Sequence, residues 1–169
     1  MAALPDSPVV PVEQYLSTSY DPDLEFVGGI LVERHMGEWL HSLIQSNFLY
    51  AVRRKYPHLK VVAELRSKTA NTRYRIPDVS VLLAAPSTEY LLDAAFLVVE
   101  VLSKRDVMSV VLAKLKEYSA KGIPNIWLID PRTQLMWTYR PPVLLEIEGD
   151  TIAAADGSIE LSRAEIFAE

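Results

Sequence analysis

The sequence predicts an α/β fold in which a series of strands is interrupted and followed by helices. Two segments repeat apolar residues at helical spacing, and several short runs rich in Val, Ile and Leu are typical of buried strands. These segments follow one another as helix, strands, helix and further strands. At 169 residues the chain has the length of one domain, so we expect residues 1–169 to fold as a single unit.

The first third of the chain predicts an arm, a hairpin and a long helix. Residues 1–20 contain three prolines and little periodicity, which indicates an arm or a short helix over 12–16. Two short strands are expected within 24–32, on either side of a Gly28–Gly29 turn. Apolar residues at helical spacing predict a helix over 38–56, which Pro57 ends.

The remainder predicts strands around a second helix. Gly122 is expected to end this helix, and Ser103 or Asp106 to cap its start. Ser162 and Glu165 have the spacing of a capping box, which predicts a last short helix. The expected elements are strands over 59–66, 75–84 and 96–102, a helix over 106–121, and a hairpin of strands 125–130 and 135–139.

Composition excludes several classes of function. The chain has no cysteine, which excludes disulfides, a thiolate nucleophile and thiolate metal sites. It has no apolar run near the ~20 residues of a membrane helix and no signal-peptide pattern, so we expect a cytoplasmic protein without membrane contact. A net charge of −5 argues mildly against a large surface for nucleic acid, although a local basic rim is compatible with it.

Two carboxylates occur in apolar strand segments. Glu100 lies within the run 94–102, which has no other polar side chain, and Asp78 follows Pro77 at the start of a second apolar run. An ionised carboxylate in a core must be paired, hydrogen-bonded or bound to a metal. The ordinary alternatives are a strand end that reaches solvent for Glu100 and a turn residue for Asp78.

A lysine and a histidine are candidates to accompany these acids. Lys114 falls on the apolar stripe of the second helix, so its ammonium either faces the sheet and needs anionic partners or reaches solvent at the edge of the stripe. His41 lies beside the apolar stripe of the first helix. It is either a satisfied edge residue or, if it faces the sheet, a metal ligand or proton carrier.

Further charged residues surround these candidates in the sequence. Acids that could complete a hard-oxygen metal site are Glu25, Glu33, Glu38 and Glu64. A basic run without an intervening acid leads to Asp78 on a predicted strand-turn-strand segment, and it is either a solvated hairpin tip or an edge that contacts phosphates. This run consists of Arg66, Lys68, Arg73 and Arg75.

An ordered set of short motifs resembles a known family over about residues 12–167. The set looks like the Uma2 family of restriction-endonuclease-like proteins, within the PD-(D/E)XK nuclease superfamily. The motifs are Glu25, Val32–Glu33, His41–Ser42, Arg75–Asp78, Val98–Ser103, Lys114–Tyr118 and Trp127–Pro131.

The resemblance implies a restriction-endonuclease-like core, with a central mixed β-sheet flanked by helices. It also implies an Mg²⁺ or Mn²⁺ site formed by Asp78, Glu100 and the carbonyl of Val101. The lysine of the superfamily motif is replaced by Leu102. The resemblance places this lysine on the following helix, at Lys114, with Lys104 as the fallback.

We therefore predict a metal-dependent endonuclease that hydrolyses phosphodiester bonds in DNA. Asp78 and Glu100 would bind the metal and Lys114 would assist catalysis, while His41 with Glu25 or Glu33 supports the site. One alternative is a catalytically inactive nuclease-fold scaffold, a partner-binding homo-oligomer such as a dimer, for which Trp39 offers a surface aromatic. Another is a metal-assisted hydrolase of small phosphorylated ligands.

Overall fold

The computed structural model of the chain describes residues 8–35 and 37–169. Its helices are α1 (Val12–Ser17), α2 (Trp39–Lys55), α3 (Met108–Lys121) and α4 (Arg163–Ile166). Its strands are β1 (Glu25–Val27), β2 (Ile30–Val32), β3 (Lys60–Ala63), β4 (Ser67–Ala70), β5 (Arg73–Arg75), β6 (Val79–Leu82), β7 (Leu97–Val101), β8 (Asn125–Asp130), β9 (Leu135–Arg140), β10 (Val143–Glu146), β11 (Thr151–Ala153) and β12 (Glu160–Ser162).

The strands form a large sheet, a small sheet and a separate pair. The large sheet has the order β10-β9-β8-β7-β6-β3, the small sheet the order β2-β1-β5-β4, and β11 pairs with β12. In the large sheet β7 and β8 are parallel and the other pairs are antiparallel. Parallel neighbours need a crossover, and α3 provides it. This mixed sheet with flanking helices confirms the predicted fold class.

Helices cover both faces of the large sheet because its central strands are apolar on both sides. Val99 and Val101 of β7 pack in a core cluster with α2 and α4, whereas Val98 packs in a second cluster with α3. Side chains alternate between the faces of a strand, so Glu100 lies on the face that α3 covers. The alternation therefore directs one carboxylate toward a specific helix.

The helices and turns agree closely with their predictions. Gly28 and Gly29 form the turn of the β1–β2 hairpin with φ of 60° and 90°, which glycine adopts without steric cost. Gly122 ends α3 in the left-handed conformation, and the capping box of α4 is present. The predicted N-caps of α3 are wrong: Val107 occupies that position, while Asp106 accepts a hydrogen bond from the Ser103 amide.

Two strand predictions are wrong in their extent. The expected strand over 59–66 ends at Ala63, since Glu64 has a φ of 54°, which extended backbone does not allow. The expected strand over 75–84 is divided between the sheets: Arg75 ends β5, and β6 begins only after Asp78. Pro77 lacks an N–H and restricts the residue before it, which favours this break.

The described residues contain no helix that is both long and apolar enough to cross a membrane. Residues 1–7 of the predicted arm lie outside the described part. Of the remainder, Tyr15 on α1 is fully buried against Phe26 and Tyr74 of the small sheet. The segment that follows α1 is held by Arg66, whose guanidinium pairs with Asp23 and donates to backbone carbonyls.

Glu117 connects α3 to the small sheet. Its carboxylate accepts hydrogen bonds from Arg75 Nε at 2.8 Å and Arg75 Nη2 at 2.6 Å, and it also pairs with Arg73. Burial alone would raise the pKa of Glu117, but the hydrogen bonds and positive charge of Arg75, with Arg73, hold it below its ordinary value. Folding therefore favours the ionised carboxylate.

We predict that Glu117→Gln destabilises the fold by about 1–2 kcal/mol at pH 7. The lowered pKa means that this stabilisation is present above pH ~4.5 and is lost as the pH falls through the folded-state value. Urea unfolding between pH 3 and pH 8 should thus show the difference from wild type shrinking at the acid end. Exposed Glu148→Gln is the control, and equal behaviour of the two variants would contradict the prediction.

Candidate metal and catalytic site

Asp78 and Glu100 lie side by side on the face of the large sheet that α3 covers. Strand β6 pairs with β7 so that Val79 opposes Val99 and Ser80 opposes Val98. Asp78 directly precedes Val79, which places it next to the end of β7 that carries Glu100. Both residues are buried, at 5% and 8% exposure. The sheet register therefore brings together the two acids that the sequence analysis singled out.

The Asp78 carboxylate is held by donors from three elements. The Val101 amide donates to Oδ2 at 2.7 Å, and His41 Nε2 on α2 lies 3.3 Å from the same oxygen. Arg34, which follows β2, donates through Nη2 to Oδ1 at 3.1 Å. Gln45 on α2 donates to the Asp78 backbone carbonyl at 2.8 Å. The orientation of Asp78 is thus fixed by its surroundings.

Lys114 reaches Glu100 from α3. Its Nζ lies 3.0 Å from Glu100 Oε2 and 2.8 Å from Glu25 Oε1. The Tyr118 hydroxyl, one helical turn further along α3, donates to Glu100 Oε1 at 2.5 Å. A buried ammonium requires anionic partners, and these two carboxylates meet that requirement. Lys104, in contrast, is exposed in the loop before α3.

Glu25 connects this lysine to the small sheet. Its carboxylate accepts hydrogen bonds from Arg75 Nη1 at 2.9 Å and from the Ile76 amide at 3.0 Å, besides its contact with Lys114. These two donors fix the carboxylate, which in turn fixes the lysine amine. Glu25 is therefore built into the site as a positioning group.

A cavity of about 60 Å³ opens between these residues. A single water needs about 10–15 Å³ measured in this way, so there is room for a small ion with some of its water. Its lining includes Asp78, Glu100, Lys114, His41 and Glu25 from the predicted site, the exposed Glu33 at its edge, Arg34, Arg75 and Val101.

The two carboxylates differ in their affinity for a proton. Burial raises the pKa of Glu100 to about 7; Lys114 opposes this rise, whereas the charges of Asp78 and Glu25 add to it. Burial acts on Asp78 in the same direction, but the hydrogen bond and charge of His41, with Lys114 and Arg34, hold its pKa below the ordinary value. The surroundings of Asp78 thus favour its ionised form, whereas those of Glu100 favour its protonated form.

The donor set fits a hard divalent cation. Mg²⁺ usually retains several waters and binds through one or two carboxylates, and Asp78 and Glu100 would supply two, with the carbonyl of Val101, which lines the cavity, as the expected third oxygen. Among residues 8–35 and 37–169 no group of three His, Cys, Asp or Glu side chains is arranged to hold a metal. Any ion would therefore depend on this pair, on backbone oxygen and on water.

The four basic residues that were predicted to contact phosphate do not share one surface. Arg75 lies at the cavity, but its guanidinium is occupied by Glu25 and Glu117. Arg73 pairs with Glu117 and leaves 42% of its side chain exposed. Lys68 lines a separate groove with Tyr74 and Tyr90, and Arg66 is buried against Asp23 and the rings of Tyr15 and Tyr20.

Sequence reasoning missed several residues of the site. Arg34 follows a short half-exposed strand, and nothing in its local pattern indicates burial. The ring of Tyr118 packs in the core cluster under α3, and its hydroxyl reaches Glu100. Glu117 lies within the motif Lys114–Tyr118, but the family resemblance gives this residue no role. The spacing of four residues between Lys114 and Tyr118 on a helix indicates that both side chains lie on the same face. The sequence around Arg34 contains no comparable indication.

A comparison with known protein families identifies the family of the chain. The model of the Uma2 family, described as "Putative restriction endonuclease", matches residues 12–164. The chain belongs to the Uma2 family. Membership confirms the resemblance and supports a nuclease-like function.

A solved structure is similar over nearly the whole chain. It is a "putative nuclease belonging to DUF820" from Anabaena variabilis ATCC 29413, with a TM-score of 0.79 and 21% identity over 95% of this chain and 98% of that chain. At this identity the likeness concerns the fold. No curated protein matches the chain.

We predict that Lys114→Met destabilises the protein by about 3–5 kcal/mol, because two buried carboxylates lose their shared cation. Urea unfolding measures the change. Exposed Lys116→Met on the same helix is the control, with an expected change within ~0.5 kcal/mol. Adding Glu100→Gln to Lys114→Met should recover part of the loss, and a Lys114 variant as stable as the Lys116 variant would contradict the prediction.

Proposed function

We propose that the protein is an endonuclease that depends on a divalent metal, Mg²⁺ or Mn²⁺, and hydrolyses phosphodiester bonds in DNA. The observation that carries this proposal is the meeting of two acids from adjacent strands with one amine from the covering helix at a single cavity. Membership of the Uma2 family supports it. In this proposal residues 1–169 act as one unit.

The carboxylates would hold the metal. Asp78 is ionised and oriented by Val101 and His41, and Glu100 becomes a ligand when it loses its proton. A bound divalent cation supplies positive charge beside the phosphate and lowers the pKa of water. Two acids at one site repel each other, so a cation between them would also relieve that repulsion.

Lys114 would act on the reacting groups. Its ammonium is held at the cavity by Glu25 and Glu100, within reach of a phosphate placed there. An amine in this position can orient the attacking water or stabilise charge that develops on a phosphate oxygen. Glu25 and His41 would serve as positioning groups for Lys114 and Asp78. Glu33, exposed at the cavity edge, is the remaining supporting acid.

DNA would approach the open side of the cavity. The negative total charge makes local cations decisive for contact with the phosphates. Arg73 has the exposure that such a contact requires, and Lys68, half-buried beside a neighbouring groove, is a second contact for a longer substrate. The guanidinium groups of Arg66 and Arg75 are engaged within the protein, so their contribution would be to hold the small sheet in place.

A nicking assay tests this function. With supercoiled plasmid and Mn²⁺ or Mg²⁺, wild type should produce nicked and linear DNA, while Asp78→Asn and Lys114→Met should be at least about a hundredfold slower. The control Lys116→Met should retain wild-type activity. Equal cleavage by all four proteins would indicate a contaminating nuclease and would contradict the assignment.

Thermal unfolding tests metal binding without reference to activity. Saturating Mn²⁺ should raise the unfolding temperature of wild type, because a ligand at 100 times its Kd stabilises by about 2.7 kcal/mol. Asp78→Asn should lose most of this increase, because the substitution removes the charge of one of the two proposed metal ligands. An equal increase in the unfolding temperature of both proteins would show that Mn²⁺ binds at a site that does not include Asp78.

A second candidate function is that of a nuclease-fold scaffold that binds partners as a homo-oligomer. Both oxygens of Asp78 and both oxygens of Glu100 already accept hydrogen bonds or ion pairs within the protein. Trp39, with 75% exposure, supplies an aromatic contact beside α2. If the protein is a scaffold, calorimetry should detect no Mn²⁺ binding that depends on Glu100. Sedimentation would measure its oligomeric state.

A further inference from the structure

Arg34 is a cation at the carboxylate cluster that the proposed mechanism does not use. Its side chain is only 6% exposed, although it follows a short strand at the edge of the small sheet. Its Nη2 donates to Asp78 Oδ1 at 3.1 Å and lies 3.8 Å from Glu64 Oε1. The guanidinium thus bridges one predicted metal ligand and a second acid.

Glu64 is placed beside Asp78 by the sheet. Strand β3 pairs with β6 so that Ala63 opposes Val79, and Glu64 and Asp78 are the next residues beyond this pair. Gln45 on α2 lies between them, since its Nε2 is 2.8 Å from the Asp78 carbonyl and 3.4 Å from Glu64 Oε1. Glu64 after β3, Asp78 before β6 and Glu100 in β7 therefore lie at the same end of three adjacent strands.

The positive charge of Arg34 matters at this position. Burial alone would lower the pKa of its guanidinium, but the charges of Asp78, Glu64, Glu100 and Glu25 raise it. Arginine is in any case charged at all ordinary pH values. The charge is therefore a fixed cation at the oxygen atoms that a divalent ion would need.

We infer that Arg34 competes with the divalent cation for Asp78 and thereby sets the metal affinity of the site. A cation that binds Asp78 through Oδ1 meets the Arg34 hydrogen bond at that oxygen, and it experiences the repulsion of the guanidinium as long as that group stays nearby. Glu64 offers the displaced side chain a second carboxylate. This inference rests on the proposed function, because it needs a metal at Asp78.

Mn²⁺ titration by calorimetry tests the inference without an activity measurement. Arg34→Met should bind Mn²⁺ with a Kd about tenfold lower than wild type, or lower still, because the competing charge is removed. Arg34→Lys keeps the charge and should bind close to wild type. Arg53 is exposed in the last turn of α2, away from the acids, so Arg53→Met removes one positive charge and should leave the Kd unchanged.

A second neutral variant, Arg34→Gln, is included so that the test does not depend on the folding of a single variant protein. Circular dichroism verifies that each protein is folded at the titration temperature. If wild type binds Mn²⁺ through Asp78 and both neutral variants bind equally or more weakly, the inference is overturned and the proposed function stands. If neither wild type nor any Arg34 variant binds Mn²⁺, the proposed metal dependence fails, and the inference fails with it.

Discussion

The structure around the cavity depends on compensation of buried negative charge. Glu25, Asp78 and Glu100 are nearly inaccessible to solvent. Lys114 on α3 pairs with both Glu25 and Glu100, Arg75 on β5 also pairs with Glu25, and Arg34 after β2 pairs with Asp78. A buried carboxylate without a partner would cost several kcal/mol. The charges therefore bind the small sheet, the large sheet and α3 to one another at the point where function is proposed.

This compensation also explains why two neighbouring acids behave differently. Asp78 accepts from His41, Arg34 and a backbone amide, and these keep it ionised. Glu100 has Lys114 and Tyr118, but it also has the negative charges of Asp78 and Glu25 close by, and burial outweighs its partners. The difference in pKa between the two acids therefore comes from their neighbours, because burial raises the pKa of both.

The sequence predicted those features that depend on local pattern. The apolar runs around Glu100 and after Asp78 and the stripe on α3 with Lys114 gave the central elements, because period and burial are encoded residue by residue. The end of β3 at Ala63 was missed because it depends on a positive φ at Glu64. The division between the sheets after Arg75 was missed, since β5 and β6 pair with different strands, β1 and β3, that lie far away in the sequence. Arg34 was missed for the same reason: its partners are 30 and 44 residues away.

Leu102 directly follows β7, and its side chain packs in the core cluster under α3. Supplying the amine from the helix lets this strand end contribute to hydrophobic packing. A three-dimensional template of two acids and an amine therefore describes this cluster, whereas a linear motif along β7 leaves out Lys114.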